Sequence, residues 1–460
     1  MMKTMRTDRR DGHGVDGGRP PVWRGMPGGG PSAMQLARAA KEAKCDDDVQ
    51  IRKGIEGVYY TGNEVLAQFL WREIERRRIE LELSGDPFYP PVEAEQSRGE
   101  LRLGIVKNAG CEFGLWLREL CQHVLVVGRS GAGKTTLIIR LLMELLWLTA
   151  SVGLVVRILV FDIKRDYEHL PGLFPEVWKF RLPGEDFRWN PLEPPINDWQ
   201  RWAGILASSL ANSCGFIGGM ATENLIYRCL LELYAKYDMD KGVYPCLLDL
   251  LDYLYLLKAT KKIERSSEEY KSFTRILSRI ENYCYAFGEM ISCSRGYPLA
   301  TILGHHVVFD IAELKSDAQT FFTETLLVQV LWHRIERGER GGDLRTLAVF
   351  DEGKRLFPRF REESQHAICN MSHIVAMARE FGLGLIVSDC DPHLLGDSIK
   401  SSSYTRICFG QTHGRDIKDS MAMLNLDFEQ MAEIQKLEIG EAIVRLAGRI
   451  KRPFAIEVMR

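Results

Sequence analysis

Residues 123–136 constrain this chain more than any other stretch. His-Val-Leu-Val-Val reads as a buried strand, and Gly128-Arg129-Ser130-Gly131-Ala132-Gly133-Lys134-Thr135 follows at once. Thr136 to Leu146 then reads as a helix. The eight residues fit Gly-x-x-x-x-Gly-Lys-Ser/Thr at every fixed position, and both flanks are of the kind the pattern requires. Glycines let the backbone curl until successive N–H groups point inward, a cradle for phosphate oxygens. The helix N-terminus adds its partial positive charge. Gly128, Arg129, Ser130, Gly131, Ala132, Gly133, Lys134, Thr135 and Thr136 are therefore the expected nucleotide-binding residues. Lys134 would reach the β- and γ-phosphates, and the Thr135 hydroxyl would ligate Mg²⁺. The alternative is a glycine-rich strand-to-helix turn that holds nothing.

A loop of this kind needs a second, acidic element. Thr346-Leu347-Ala348-Val349-Phe350-Asp351-Glu352 supplies one. Its strand places Asp351 at a C-terminal end, where open α/β sheets bind ligands. Asp351 is the candidate to hold Mg²⁺ through water, and Glu352 to polarise the attacking water. A tandem acid pair with a water-activating member points to an ATPase rather than a small-molecule kinase. Asp162 ends a third apolar strand and either tunes this site or caps its own turn.

Strands read at 101–106, 113–117, 123–127, 157–161, 306–309, 347–350, 383–387 and 405–409, with helical stretches between most of them. The alternation predicts an α/β fold with a largely parallel sheet. One segment does not alternate. The stretches 222–237, 245–258 and 266–287 are helical, and no strand separates them. The expected organisation is a disordered tail (1–32), a helical N-terminal extension (33–99) and a first part of the core (100–196). An all-helical insertion (197–300) and a second part of the core (301–460) follow. In the extension Val65, Leu66, Phe69, Leu70 and Ile74 recur at helical spacing. Arg76, Arg77 and Arg78 lie beside Glu73, Glu75 and Glu80, which i,i+4 pairing explains.

Composition adds exclusions. With 45% hydrophobic and 27% charged residues over 460 positions, the chain can bury a large core unaided. The formal charge of −2 excludes a uniformly basic coat for nucleic acid but not a local basic groove. The 11 cysteines form no Cys-x-x-Cys pair, which fits reduced thiols. Leu137 to Phe161 is the most apolar stretch, yet it carries Arg140, Glu144 and Arg157. It reads as buried helix, loop and strand rather than a membrane span. A cytoplasmic protein is expected, any membrane contact coming through a partner.

Taken in order, these residues resemble the HerA–FtsK superfamily of hexameric motors, over roughly Leu101 to Val458. Besides the two nucleotide elements, the resemblance rests on several further segments. They are Phe-Asp-Ile-Lys-Arg-Asp-Tyr (161–167), Trp189-Asn190-Pro191-Leu192, Val308-Phe309-Asp310-Ile311, Arg379-Glu380-Phe381-Gly382, Thr405 to Phe409 and Gly440 to Val444. The resemblance implies a RecA-like P-loop core and ATP hydrolysis with Mg²⁺ in a homo-oligomer, a hexamer, that translocates DNA. It makes Arg379 and Arg406 candidates for an arginine that reaches a neighbouring subunit's site. Three features depart from the family pattern. Cys390 stands where the family commonly has a glutamine, and Asp166 where it has a glutamate. The N-terminal part is short and charged for the family's β-barrel. Lys354-Arg355 to Arg359-Phe360-Arg361 is basic with interleaved aromatics, a candidate DNA-gripping loop. Two other readings remain open: a secretion-type ATPase docked on a membrane complex, and a nucleotide switch that controls a partner nuclease.

Overall fold

The computed structural model describes residues 30–459 except 90, 214–218, 261–266 and 364–369. The tail expected over 1–32 therefore lies outside the described residues, apart from 30–32. The chain divides into two compact units, residues 1–86 and 87–460. Residues 87–99, expected with the helical extension, belong to the second unit. The Ser97 hydroxyl donates to Glu112 O at 2.7 Å and so ties this stretch to the sheet.

In the first unit three helices, α1 (Ala33–Glu42), α2 (Val49–Thr61) and α3 (Glu64–Ser84), are capped by Ser32, Asp48 and Asn63. Each cap side chain accepts a hydrogen bond from the helix's first turn and satisfies N–H groups with no partner inside the helix. Leu36, Ala40, Ile51, Val58, Ala67, Leu70 and Ile74 form the core. The apolar face of α3 is thus narrower than its sequence spacing suggests, because Val65 and Phe69 are exposed. Arg76 and Arg77 pair with Glu73, Arg76 also with Glu80, and Arg78 with Glu75. Among the described residues this unit has no strand.

The second unit is built on one 11-stranded sheet. Its strands are β1 (Leu101–Val106), β2 (Glu112–Leu115), β3 (Val124–Val127), β4 (Arg157–Asp162), β5 (Val177–Arg181), β6 (His306–Asp310), β7 (Thr346–Phe350), β8 (Leu383–Asp389), β9 (Thr405–Phe409), β10 (Glu441–Leu446) and β11 (Phe454–Val458). Their order is β2-β1-β11-β10-β9-β3-β8-β7-β4-β6-β5. From β9 to β5 all neighbours run parallel. The strands β10, β11, β1 and β2 add an antiparallel wing.

Side chains alternate across a strand, and here both faces are buried. Leu125, Val127, Phe161, Phe309, Phe350 and Val387 point to one face, where Phe322 of the helix Ser316–Glu336 packs on Phe161 and Phe309 and side chains of the helical insertion join the same core. Val124, Val126, Val160, Val349, Ile386 and Phe409 point to the other, which the helix Lys134–Val152 covers. That helix is long and apolar enough to cross a membrane by length and composition. Leu137, Ile138, Leu141, Leu142, Leu145 and Leu146 bury its apolar side in the core.

Among the described residues no strand interrupts 182–305. Asn190 ties the two ends of this stretch. Its side-chain nitrogen donates to Pro245 O (3.0 Å) and Ser294 O (2.8 Å), and its oxygen accepts from Leu192 N.

Candidate active site

β3 ends at Val127, and the chain curls through Gly128, Gly131 and Gly133 at φ 156°, 74° and 115°. Phe409, at the end of β9, packs beneath the curl. A Cβ on Gly128 would stand 2.5 Å from the Phe409 Cβ, so glycine is required there by space as well as by conformation. Neighbouring strand ends hold the loop. The Gly128 N–H donates to Asp389 O (3.2 Å), the Arg129 N–H to Gly410 O (2.9 Å) and the Gly440 N–H to Ala132 O (2.9 Å). Lys134 opens the helix with its ammonium turned back into the loop. It donates to Gly128 O (2.7 Å), Arg129 O (3.1 Å) and the Cys390 Sγ (3.1 Å).

β8 lies between β3 and β7. Asp351, just past β7, is half-buried, and loss of solvent around it pushes its carboxyl pKa up. A hydrogen bond from the Ser388 hydroxyl and the charges of Lys164 and Lys134 act the other way, while Asp166 adds to the rise. The loop lysine and the strand-end acid therefore feel each other's charge across β8. Lys134, Ser388, Asp166 and Lys164 thus all act on Asp351 at this edge of the sheet.

Glu352 takes a left-handed backbone, φ 55°. Such a conformation costs about 1 kcal/mol in a residue with a side chain. Lys164 lies 3.4 Å from its Oε1, and Arg355 pairs with its Oε2. Asp162 proves to be a turn holder. It accepts the backbone N–H groups of Lys164 (3.2 Å), Asp166 (3.1 Å) and Tyr167 (3.0 Å). That turn aims Lys164 and Asp166 at the acid pair. Neither was singled out for the site from sequence, although both lie in the 161–167 segment.

The two candidate arginines sit elsewhere in the chain. Arg379 precedes β8, and Arg406 is the second residue of β9. Both are at the strand-start edge of the sheet, opposite the glycine loop. Arg379 is exposed. Arg406 is partly buried and donates to Met423 O (2.9 Å) and Ser401 O (3.0 Å).

The basic run after the acid pair is not a free cationic loop. Lys354 pairs with Asp391 and lies 3.7 Å from Asp389. Arg355 pairs with Glu352. Arg359 pairs with Glu363 and Asp419, and Arg361 reaches Glu324. Only the Phe360 ring projects, 71% exposed.

A glycine loop between strand and helix, an acid pair two strands away and a parallel sheet carrying both define a P-loop ATPase with a RecA-like core. The chain belongs to the family of the HerA helicase central domain, whose model matches residues 101–330. The DNA double-strand break repair helicase HerA of Sulfolobus acidocaldarius is 22% identical over 376 residues, 79% of this chain and 70% of that protein. Its counterpart in Sulfurisphaera tokodaii is 22% identical over 367 residues, 78% and 69%. VirB4 of Thermoanaerobacter pseudethanolicus shares the fold at 15% identity and a TM-score of 0.58, over 79% of this chain and 97% of that one. The plasmid coupling protein TrwB, solved with an ATP analogue, does so at 15% and 0.58, over 80% and 91%. The chain is thus an ATPase motor of the HerA/FtsK type, and ATP and Mg²⁺ are its substrate and cofactor.

Proposed function

We propose that this chain hydrolyses ATP within a ring of identical subunits, a hexamer, to move along DNA. The observation that carries the DNA reading is an open groove of about 640 Å³ on the same sheet edge as the glycine loop. The connections after β7, β8 and β9 line it. Arg415 and Lys418 stand one helical turn apart on its wall, exposed and without an ion pair among the described residues. The Phe360 ring lies beside them. Free cations with an exposed aromatic suit a sugar–phosphate backbone read without regard to sequence. This assigns the DNA contact to Arg415, Lys418 and Phe360, in place of the ion-paired cations Lys354, Arg355, Arg359 and Arg361.

At the ATP site the residues fit their roles. The curled N–H groups and Lys134 take the phosphates, and Lys134 exchanges two loop carbonyls for phosphate oxygens. Thr135 and Asp351 are suited to hold Mg²⁺, which when bound supplies charge neutralisation at the phosphates. Glu352 orients the attacking water once it leaves Lys164 and Arg355. Arg379 is the better arginine for a neighbour's site. It is exposed, whereas Arg406 would first break two hydrogen bonds. Neither reaches its own chain's loop, so full activity requires a ring.

The test is ATP turnover with and without duplex DNA, read beside oligomer mass. DNA is expected to raise turnover in a salt-dependent way. The Arg415→Ala/Lys418→Ala double variant should keep basal turnover and lose at least tenfold in DNA affinity. Turnover indifferent to DNA but raised by a protein substrate would replace this reading with the secretion-type one. A monomer in the presence of ATP and DNA would end the ring.

A further inference from the structure

Outside the ATP site, one cluster of side chains among the described residues has the composition of a transition-metal site. His393 lies in the turn that follows β8, and His413 and Asp416 lie at the start of the helix Gly414–Leu424 that follows β9. Asp416 is buried, 3% exposed, and its two oxygens serve the two imidazoles separately. Oδ1 is 2.6 Å from the His393 Nδ1, and Oδ2 is 3.4 Å from the His413 Nδ1. The rings are 5.5 Å apart, and one ligand atom from each residue lies within 4.8 Å of the others.

We propose that His393, His413 and Asp416 bind a zinc-class divalent cation. A tetrahedral centre with bonds of 2.0–2.1 Å sets its ligand atoms about 3.3 Å apart. The observed spacings straddle that value, and small rotations of the two rings close the difference. Two nitrogens and one carboxylate leave a fourth position for water. Ligand chemistry chooses the metal. The helix N-terminus and Arg415 oppose any cation by charge alone, so an all-oxygen ion such as Mg²⁺ or Ca²⁺ gains little here. Imidazole donors favour Zn²⁺, Co²⁺ or Ni²⁺ instead. A ligating Nδ1 must offer its lone pair, so binding moves the proton of each neutral ring to Nε2.

The site's position gives the metal a consequence. β8 and β9 flank β3, and the segments that follow them touch the glycine loop. Cys390 meets Lys134, and Gly410 O accepts the Arg129 N–H. A metal at the cluster ties these two segments together on the groove wall.

The test uses the full chain without a polyhistidine tag, stripped by chelator and titrated with Co²⁺ under excess Mg²⁺ and no nucleotide. The expected result is one Co²⁺ per chain, with the intense visible bands of a low-coordinate site, displaced by Zn²⁺. His413→Ala is expected to fold normally, since its ring is 62% exposed, and to lower affinity at least tenfold. Asp416→Asn should do the same at nearly unchanged shape. Lys134→Ala should leave the bands intact, which separates this site from the ATP site. Hydrogen exchange over residues 390–394 and 411–416 should slow when Zn²⁺ is added. Absence of the bands would overturn the proposal. So would stoichiometric binding retained by the His393→Ala/His413→Ala variant, which would leave Asp416 as a purely structural acceptor for the two rings.

Discussion

The Lys134 ammonium donates to the Cys390 sulfur at 3.1 Å. The contact joins the glycine loop to the segment after β8, where the family pattern has an amide. A thiol is a weak acceptor that cannot bridge phosphate and strand as an amide can. Alkylating Cys390 places bulk against Lys134. Treatment with N-ethylmaleimide should lower ATP affinity at least tenfold, and prior Mg·ATP should protect. Cys390→Ser should bind ATP within a few fold of the parent and resist the reagent, whichever other thiols react. Equal sensitivity in Cys390→Ser would exclude this contact as the cause.

Glu352, which we propose orients the attacking water, is held by Lys164 and Arg355 before any nucleotide arrives. Glu352→Gln should bind ATP and turn it over 10²- to 10⁴-fold more slowly, the usual worth of a general base. Lys164→Met removes one of the two restraints and should raise basal turnover a few fold. Single-turnover hydrolysis separates this from faster product release. A Glu352→Gln protein with the parent's rate would remove Glu352 from its role.

Burial raises the pKa of Asp351, so its ionised form is disfavoured in the folded chain. A raised carboxyl pKa contributes stability below its unfolded value of about 4, and that contribution is lost as pH rises through the folded value. At neutral pH the nucleotide-free protein carries this cost. Asp351→Asn should therefore raise its stability by on the order of 1 kcal/mol while Mg²⁺-dependent turnover falls at least 100-fold. Thermal melts with and without Mg·ATP read both effects. A variant less stable than the parent without nucleotide would contradict the electrostatic account.

His123 and His306 are buried neutral rings, and burial pulls each pKa down to about 4. The His123 Nε2–H donates to Val375 O (3.0 Å), and its Nδ1 accepts from Leu385 N (3.2 Å), so the protonated ring loses a bond. Between about pH 6.5 and pH 4 the unfolded chain takes up protons that the folded chain refuses, and stability falls as pH falls. The effect is on the order of 3 kcal/mol per ring at the acid end of the window. Asp162, Asp351, Asp389 and Glu119, whose pKa values burial raises, work in the opposite direction. The measurement is thus the difference in urea midpoint between the parent and His123→Asn across that range. The parent should lose more stability than the variant, and parallel curves would refute the assignment.

Local sequence determined the ATP-binding loop, the acid pair and the parallel core. Each is set by contiguous residues: glycine spacing, an apolar strand ending in carboxylates, and alternation whose period matches the backbone. β5, β10 and β11 were harder to read because charged residues interrupt the apolar run, as in Val-Trp-Lys-Phe-Arg. Only the tertiary structure decided what faces what. It set Lys164 and Asp166 against Asp351, added the distant Asp389, Asp391, Asp419 and Glu324 to the local acids that pair with the basic run 354–361, and left Arg415 and Lys418 in the groove without an ion pair among the described residues. It also gathered His393, His413 and Asp416 from two separate connections. Charge and coordination act through space over a few ångströms, and the order of residues along a chain does not record which distant side chains will come that close.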